Sequence, residues 1–350
     1  MKIFKRYLSY RLESSMLRTL IFTILSVMLA QMVLSEATDS SVAEYNDSGL
    51  YILATILGII ASVIPFLELA GFNNRRNLDT LYFFPIKREK MAIANYISGF
   101  VQVLFIYTVT FVWSYIYLAT KTNYFALYHM LPYYFLSVLL GLVIYSVFMF
   151  IFVQANSSAD GVIFCLLWIF LLCVVGYTVI DILEIRGNLE DIVYNYFSWN
   201  TAYEISSWGI IYAPINNLTV LFQDLIEINN PTAWDYTVVP IKNQLYMFFV
   251  WGAIGIAAAV GYVWSFVRKG AEKAGEISIS WFGYRTLIPI YGYCMIILTR
   301  GNGGPSSITV LSFILMIIGY VIYRRGFKLK TSDIIATACG LIPMLLTIAL

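Results

Sequence analysis

The sequence predicts an all-α polytopic membrane protein, and three observations carry that expectation. Apolar residues gather in long blocks with few charges; only 12% of the 350 residues are charged while 60% are hydrophobic; and positive charges cluster between alternate blocks. About 20 apolar residues at 1.5 Å rise cross about 30 Å of hydrocarbon, so such blocks read as membrane helices. An ordinary soluble domain has roughly 25% charged residues and could not cover this much apolar side chain.

The elements follow in order. In residues 1–16, Phe4, Leu8, Leu12 and Met16 recur every four residues, with Lys2, Arg6, Ser9 and Glu13 on another face. This spacing predicts a basic amphipathic helix lying on the inner membrane surface. Spans are expected at 17–34, 49–69, 93–119, 131–153, 161–183, 245–267, 286–299, 306–323 and 334–350. The first is longer than the 7–15 residues of a signal-peptide core and is read as a retained helix. The seventh is short and contains Pro289, so it and the eighth are read either as crossings or as a shallow hairpin. The chain stops at Leu350 inside an apolar run. That leaves open a last helix ending flush at the outer surface or a continuation beyond it.

Orientation follows from the basic residues. With the N-terminus in the cytoplasm, inner segments hold 18 of the 22 Lys and Arg residues. Outer segments keep Lys121, Arg186, Lys242 and Arg300. The expected location is the cell (plasma) membrane. The outer segment 184–243 is acidic and carries Trp199, Tyr203, Trp208, Tyr212 and Trp234, which suit the membrane–water interface. Residues 202–226, broken at Pro214, read either as two short re-entrant helices dipping into the outer leaflet or as an ordinary loop.

Several chemistries find no material here. A formal net charge of +2 gives no electrostatic case for nucleic acid. Cys165, Cys173, Cys294 and Cys339 all fall in apolar blocks without paired spacing, which indicates neither disulfides nor a zinc site. No GxxxxGK[ST], HExxH or GxSxG run occurs, and His129 is the single histidine. Glu68 and Asp181 are ionisable groups within the spans, both near an interface. A cation-coupled carrier needs such groups nearer the midplane, so that reading is weakened. Glu68 is expected to pair with Arg75 or Arg76, two turns on, and Asp181 to face water.

The connector at 72–92 is richer than a topology signal requires. It joins Arg75, Arg76, Leu78, Asp79 and Leu81 to a break at Pro85 and then to Ile86, Lys87 and Arg88. Leucines and aromatics beside arginines suit either a docking surface for a soluble partner or an interfacial loop seated among lipid headgroups.

The order of these features resembles the type-2 exporter superfamily of ATP-binding cassette (ABC) permeases. The shared features are an elbow helix, two spans, a glutamate ending the second, the Arg-Arg-Asn-Leu-Asp-Thr-Leu…Phe-Pro-Ile-Lys-Arg loop, and four further spans with a re-entrant segment before the last. The resemblance covers residues 1–267. The basic runs at 268–276 and 323–330 are similar to longer Gram-positive members with extra C-terminal spans.

The resemblance implies an elbow at 1–16, a six-span permease core at 17–267, and a linker with two or three more helices at 268–350. Glu68, Arg75, Arg76, Leu78, Asp79, Leu81, Pro85, Ile86, Lys87 and Arg88 would contact the ATPase. It implies no enzymatic chemistry and no cofactor on this chain, since ATP and Mg would sit on two copies of a separate ABC ATPase subunit. The other partners would be the lipid bilayer and a second permease, identical or paralogous. The cargo would be an amphipathic peptide, antibiotic or lipid. In the sixth span Ala253, Ala257 and Gly261, with Gly255 and Ala259, would let helices pack closely, as a gate or as generic packing. A non-transporting scaffold or immunity protein and a secondary carrier are the other readings.

Overall fold

The computed structural model describes residues 2–39, 48–73, 85–121, 127–185, 214–215, 218–219, 222, 241–270, 272, 274–298, 307–343 and 345. No strand occurs among them. The helices are α1 (Lys2–Asp39), α2 (Ser48–Leu69), α3 (Arg88–Lys121), α4 (Leu127–Val153), α5 (Ser158–Ile185), α6 (Ile241–Arg268), α7 (Tyr284–Leu298), α8 (Ser307–Arg324) and α9 (Thr331–Cys339). The first six are long and apolar enough to cross a membrane. The chain is an all-α, multi-pass membrane protein. The later helices are shorter: α7, with Pro289 inside it, has 15 residues, or roughly 22 Å at 1.5 Å per residue.

The helices form two compact units. One contains α1–α4, the segment from Pro214 and α6; the other contains α5 and α7–α9. Within the residues expected as a six-span core at 17–267, α5 clusters with the C-terminal helices. Side-chain contacts hold it there: Trp168 donates to the Phe282 carbonyl at 2.9 Å, Tyr284 donates to Asp160 at 3.0 Å, and the Phe164 and Tyr284 rings meet edge-on at 4.8 Å. Tyr291 also donates to the Leu167 carbonyl. In the same unit Arg324 grips Asp333 with two bonds of 2.8 Å, joining the end of α8 to the start of α9.

In the first unit, α2 and α4 are the most buried helices and α1 the least. Helix α1 corrects the expected elbow. It runs unbroken from Lys2 to Asp39, so no separate surface helix precedes the first span. The apolar stripe is only partly covered: Phe4, Leu8 and Leu12 are half-buried and Met16 is exposed. The face turned inward is polar, with Tyr7, Ser15, Thr19, Thr23 and Ser26 buried, followed by Ala30 and Leu34. Outside it lie Leu17, Ile21, Ile24, Leu25 and Met28. A helix in hydrocarbon has this inverted polarity because lipid accepts apolar side chains and offers polar ones no partner.

Polar rungs then register α1 against α3, which run parallel. Tyr7 donates to Asn95 at 3.1 Å, Arg18 to Gln102 at 2.9 Å, and Trp113 to Gln31 at 3.0 Å, while the Ser26 and Thr110 hydroxyls meet at 2.7 Å. Helices α3 and α4 are antiparallel, joined by Tyr107–Ser137 at 2.7 Å and Tyr96–Ser146 at 2.5 Å. Past Pro214, the described residues Ile215, Leu218, Thr219 and Phe222 are buried, with Phe222 edge-on to Tyr133 at 5.1 Å.

Glycines set the approach of α6 to α4. A Cβ on Gly255 would lie 2.8 Å from Val143 Cγ2 and 3.1 Å from the Val143 Cα, and one on Gly261 would meet the Phe150 ring at 2.9 Å. Ala253 and Ala257 fall on the exposed side of α6, so the contact face is Gly255, Ala258 and Tyr262. Backbone cannot yield as a side chain can. Gly255→Val is therefore expected to lower stability by about 1–3 kcal/mol. Gly252→Ala, with open space around its Cβ, should be neutral or stabilising. Unfolding of both variants in mixed micelles checks the pair.

Candidate functional site

The ends of five helices meet at one pole of the first unit: the N-termini of α1 and α3 and the C-termini of α2, α4 and α6. The connector at 74–84 leaves from this pole and returns to it. Arg75, Arg76, Leu78, Asp79 and Leu81 lie outside the described residues. Of the remaining loop positions, Pro85, Lys87 and Arg88 are exposed and Ile86 is half-buried, leading into α3.

Glu68, on the last turn of α2, is 1% exposed. The loop arginines expected to pair with it lie outside the described residues. Among the described residues its carboxylate is held by Arg11 and Arg18, both from α1, and by Gln102 of α3, whose Nε2 donates at 2.6 Å. Arg11 also donates to the Glu68 carbonyl at 3.0 Å, and Arg18 to the Leu67 carbonyl at 3.2 Å. Those carbonyls belong to the end of α2, where no intrahelical donor remains. The geometry follows from spacing: Arg11 and Arg18 are seven residues apart, two turns, and so share one face of α1. A buried carboxylate is costly without charge-assisted bonds, and here it has them from two other helices. Gly99 makes room: a Cβ there would press on the Tyr145 hydroxyl and, at 3.0 Å, on Glu68 Cγ. Tyr145 donates to the Tyr96 carbonyl at 3.0 Å and stands edge-on to the Tyr96 ring at 5.2 Å.

A second junction lies on the far side of the connector. Lys269, just past α6, donates to Asn73 Oδ1 at 2.7 Å and to the Val153 carbonyl at the end of α4 at 3.2 Å. Its own carbonyl accepts from Arg88 at 3.1 Å, which brings in the start of α3. Phe72 and Phe266 meet edge-on at 5.1 Å beside it. Burial pushes the Lys269 ammonium down to about 8. Asn73 closes the 3₁₀ turn Ala70–Asn73, so the connector hangs at one end from a residue that Lys269 holds.

Of the sequence-predicted contacts, the structure thus brings Glu68 into a buried clamp and places Arg88 on the Lys269 junction. Arg11, Arg18, Gln102, Asn73 and Lys269 were not among the site residues expected. The sequence signal for the first two was the seven-residue spacing that puts both arginines on one face of the helix. For Lys269 there was none, because its partners are 116 and 196 residues away. No group of three or more His, Cys, Asp or Glu side chains is placed to hold a metal ion among the described residues. No protein-family model matches the chain, and no curated protein is detectably similar to it.

Removing the carboxylate leaves two guanidinium groups against a buried surface. Glu68→Gln is expected to cost about 3–5 kcal/mol, and replacing Arg11, Arg18 and Glu68 together by apolar residues should cost less than that single change. Unfolding in mixed micelles checks both. Lys269 gives a pH signature. The unfolded chain binds its proton up to about pH 10.5, while the folded chain releases it near 8. Between those values the unfolded state holds more protons, so stability rises with pH by up to about 1.4 kcal/mol per unit. Lys269→Met should abolish that rise, as unfolding measured from pH 7 to 10 would show.

Proposed function

We propose that this chain is the permease subunit of an ATP-driven ABC-type exporter, set in the plasma membrane with its N-terminus in the cytoplasm. Two copies of an ATPase on a separate chain would bind the connector at 74–84 and the exposed positions Pro85, Lys87 and Arg88. A second permease, identical or paralogous, would complete the translocation path, and the cargo would be an amphipathic peptide, antibiotic or lipid. Residues 202–226 would dip into the outer leaflet above it.

The observation that carries this reading is how the connector is mounted. Glu68 and Asn73 stand at its start and Arg88 at its end, and each is tied by side-chain hydrogen bonds to a helix that the connector does not join. A loop serving only topology needs positive charge and nothing more. A loop that transmits force must be fastened to the parts it moves, and packed helices shift between discrete arrangements rather than bending. A push on this connector would reach α1 through Glu68 and both α4 and α6 through Lys269. The basic clusters, 18 of 22 positive residues on one side of the expected topology, support the placement of that loop in the cytoplasm.

The test is co-purification with a Walker-motif ATPase encoded beside this chain. The double variant Leu78→Asp with Leu81→Asp is expected to release the ATPase while the permease remains in the membrane. Full association of the variant would overturn the docking assignment, and absence of any associated ATPase would favour a scaffold or immunity role. Cysteine placed at position 79 should resist impermeant reagents added to intact cells; labelling from outside would remove the connector from reach of any cytoplasmic motor.

A further inference from the structure

A groove of about 590 Å³ opens on the outer surface of the first unit between the N-terminal half of α3 and the C-terminal half of α6. Its mouth adjoins the Lys269 junction, since Glu89 and Arg268 follow and precede Arg88 and Lys269 in the chain, but it shares none of that junction's hydrogen bonds. Its lining is mostly apolar, with Ile93, Val260, Val263 and Ala259 beside Tyr96. Glu89 and Arg268 stand together at its mouth. From Glu89 to Tyr96 is seven residues, or about 10 Å along the helix. The groove therefore runs from a charged end down into the apolar part of the span.

The charges at the mouth identify the occupant. Glu89 and Arg268 are both exposed, and neither takes part in an ion pair among the described residues. Opposite charges on one rim, not neutralising each other, match a molecule that carries both signs. Each charge also suits its helix end, Glu89 at the start of α3 and Arg268 at the end of α6. That explains the two residues singly but not the apolar trough that joins them. The Arg268 guanidinium lies 3.8 Å over the Trp264 ring, which fixes its position at the rim.

We propose that the groove binds a phospholipid with a phosphoethanolamine headgroup: the phosphate on Arg268, the primary ammonium on Glu89, and an acyl chain along Val260 and Ala259. The chemistry separates this lipid from its neighbours. A purely anionic headgroup would gain Arg268 but meet Glu89 as a like charge. A quaternary ammonium has no N–H to give a carboxylate and is recognised by open aromatic faces, whereas the face of Trp264 is already covered by Arg268. A primary ammonium donates directly to Glu89. This site does not rest on the exporter reading, since it requires only a chain embedded in a bilayer.

The experiment is lipid retention by the purified full chain, measured by native mass spectrometry. Phosphatidylethanolamine, phosphatidylglycerol and phosphatidylcholine with identical acyl chains are supplied in equal amounts. The wild type should retain phosphatidylethanolamine over the other two by about threefold or more, the scale of one exposed charge interaction. Glu89→Gln should bring phosphatidylglycerol to parity. Arg268→Gln should lower retention of both, and Ala259→Leu, which fills the trough, should lower all three. Equal or better retention of phosphatidylglycerol by the wild type would overturn the proposal, as would an unchanged preference in Glu89→Gln. A photo-reactive residue at position 260 supplies an independent readout: crosslinks to lipid support the site, and crosslinks to a second copy of the chain would make the groove a subunit interface instead.

Discussion

A carboxylate that is 1% exposed at the end of one helix, gripped by two guanidinium groups from another, organises the first unit. Hydrocarbon cannot solvate charge, so each of these groups is tolerable only in company of the others. The clamp therefore fixes the depth and rotation of α1 against α2, and Gln102 extends the same constraint to α3. Once those three helices are registered, the smaller polar rungs at Ser26–Thr110 and Gln31–Trp113 fall into line along α1 and α3. Aromatic packing, such as Phe66 against Phe152 at 5.4 Å, adds contact area around this polar frame.

The positions of the membrane helices were legible because hydrocarbon thickness acts on composition directly, and apolar blocks of the right length have few other uses. What the blocks could not convey was which side of each helix faces protein. In residues 1–16 the apolar stripe Phe4, Leu8, Leu12, Met16 is the visible periodicity, and on a soluble protein it would mark the packed face. Here Tyr7, Arg11 and Ser15 interleave with that stripe on the packed side and make its specific contacts, because a polar group facing lipid would find no partner. The same inversion hid the clamp. Arg18 reads as an orientation charge at a helix end, while its actual partner lies 50 residues away.

The second unit shows a further limit of local reading. Helix α5 is indistinguishable by composition from α2 or α4, yet it joins the C-terminal helices. Its allegiance is set by Asp160 and Trp168 finding Tyr284 and the Phe282 carbonyl more than 110 residues on. Such pairings depend on which polar atoms remain unsatisfied once every helix is placed, and no window of sequence contains that information.

The polarity of α1 has a bearing on how the chain is made. Synthesis delivers this helix first, with Arg11 and Arg18 already on it, while Glu68 is still being translated. Until the second hairpin arm arrives, both cations have only water or headgroups to turn to. The two guanidinium groups of α1 thus wait, in chain order, on a carboxylate some fifty residues further along.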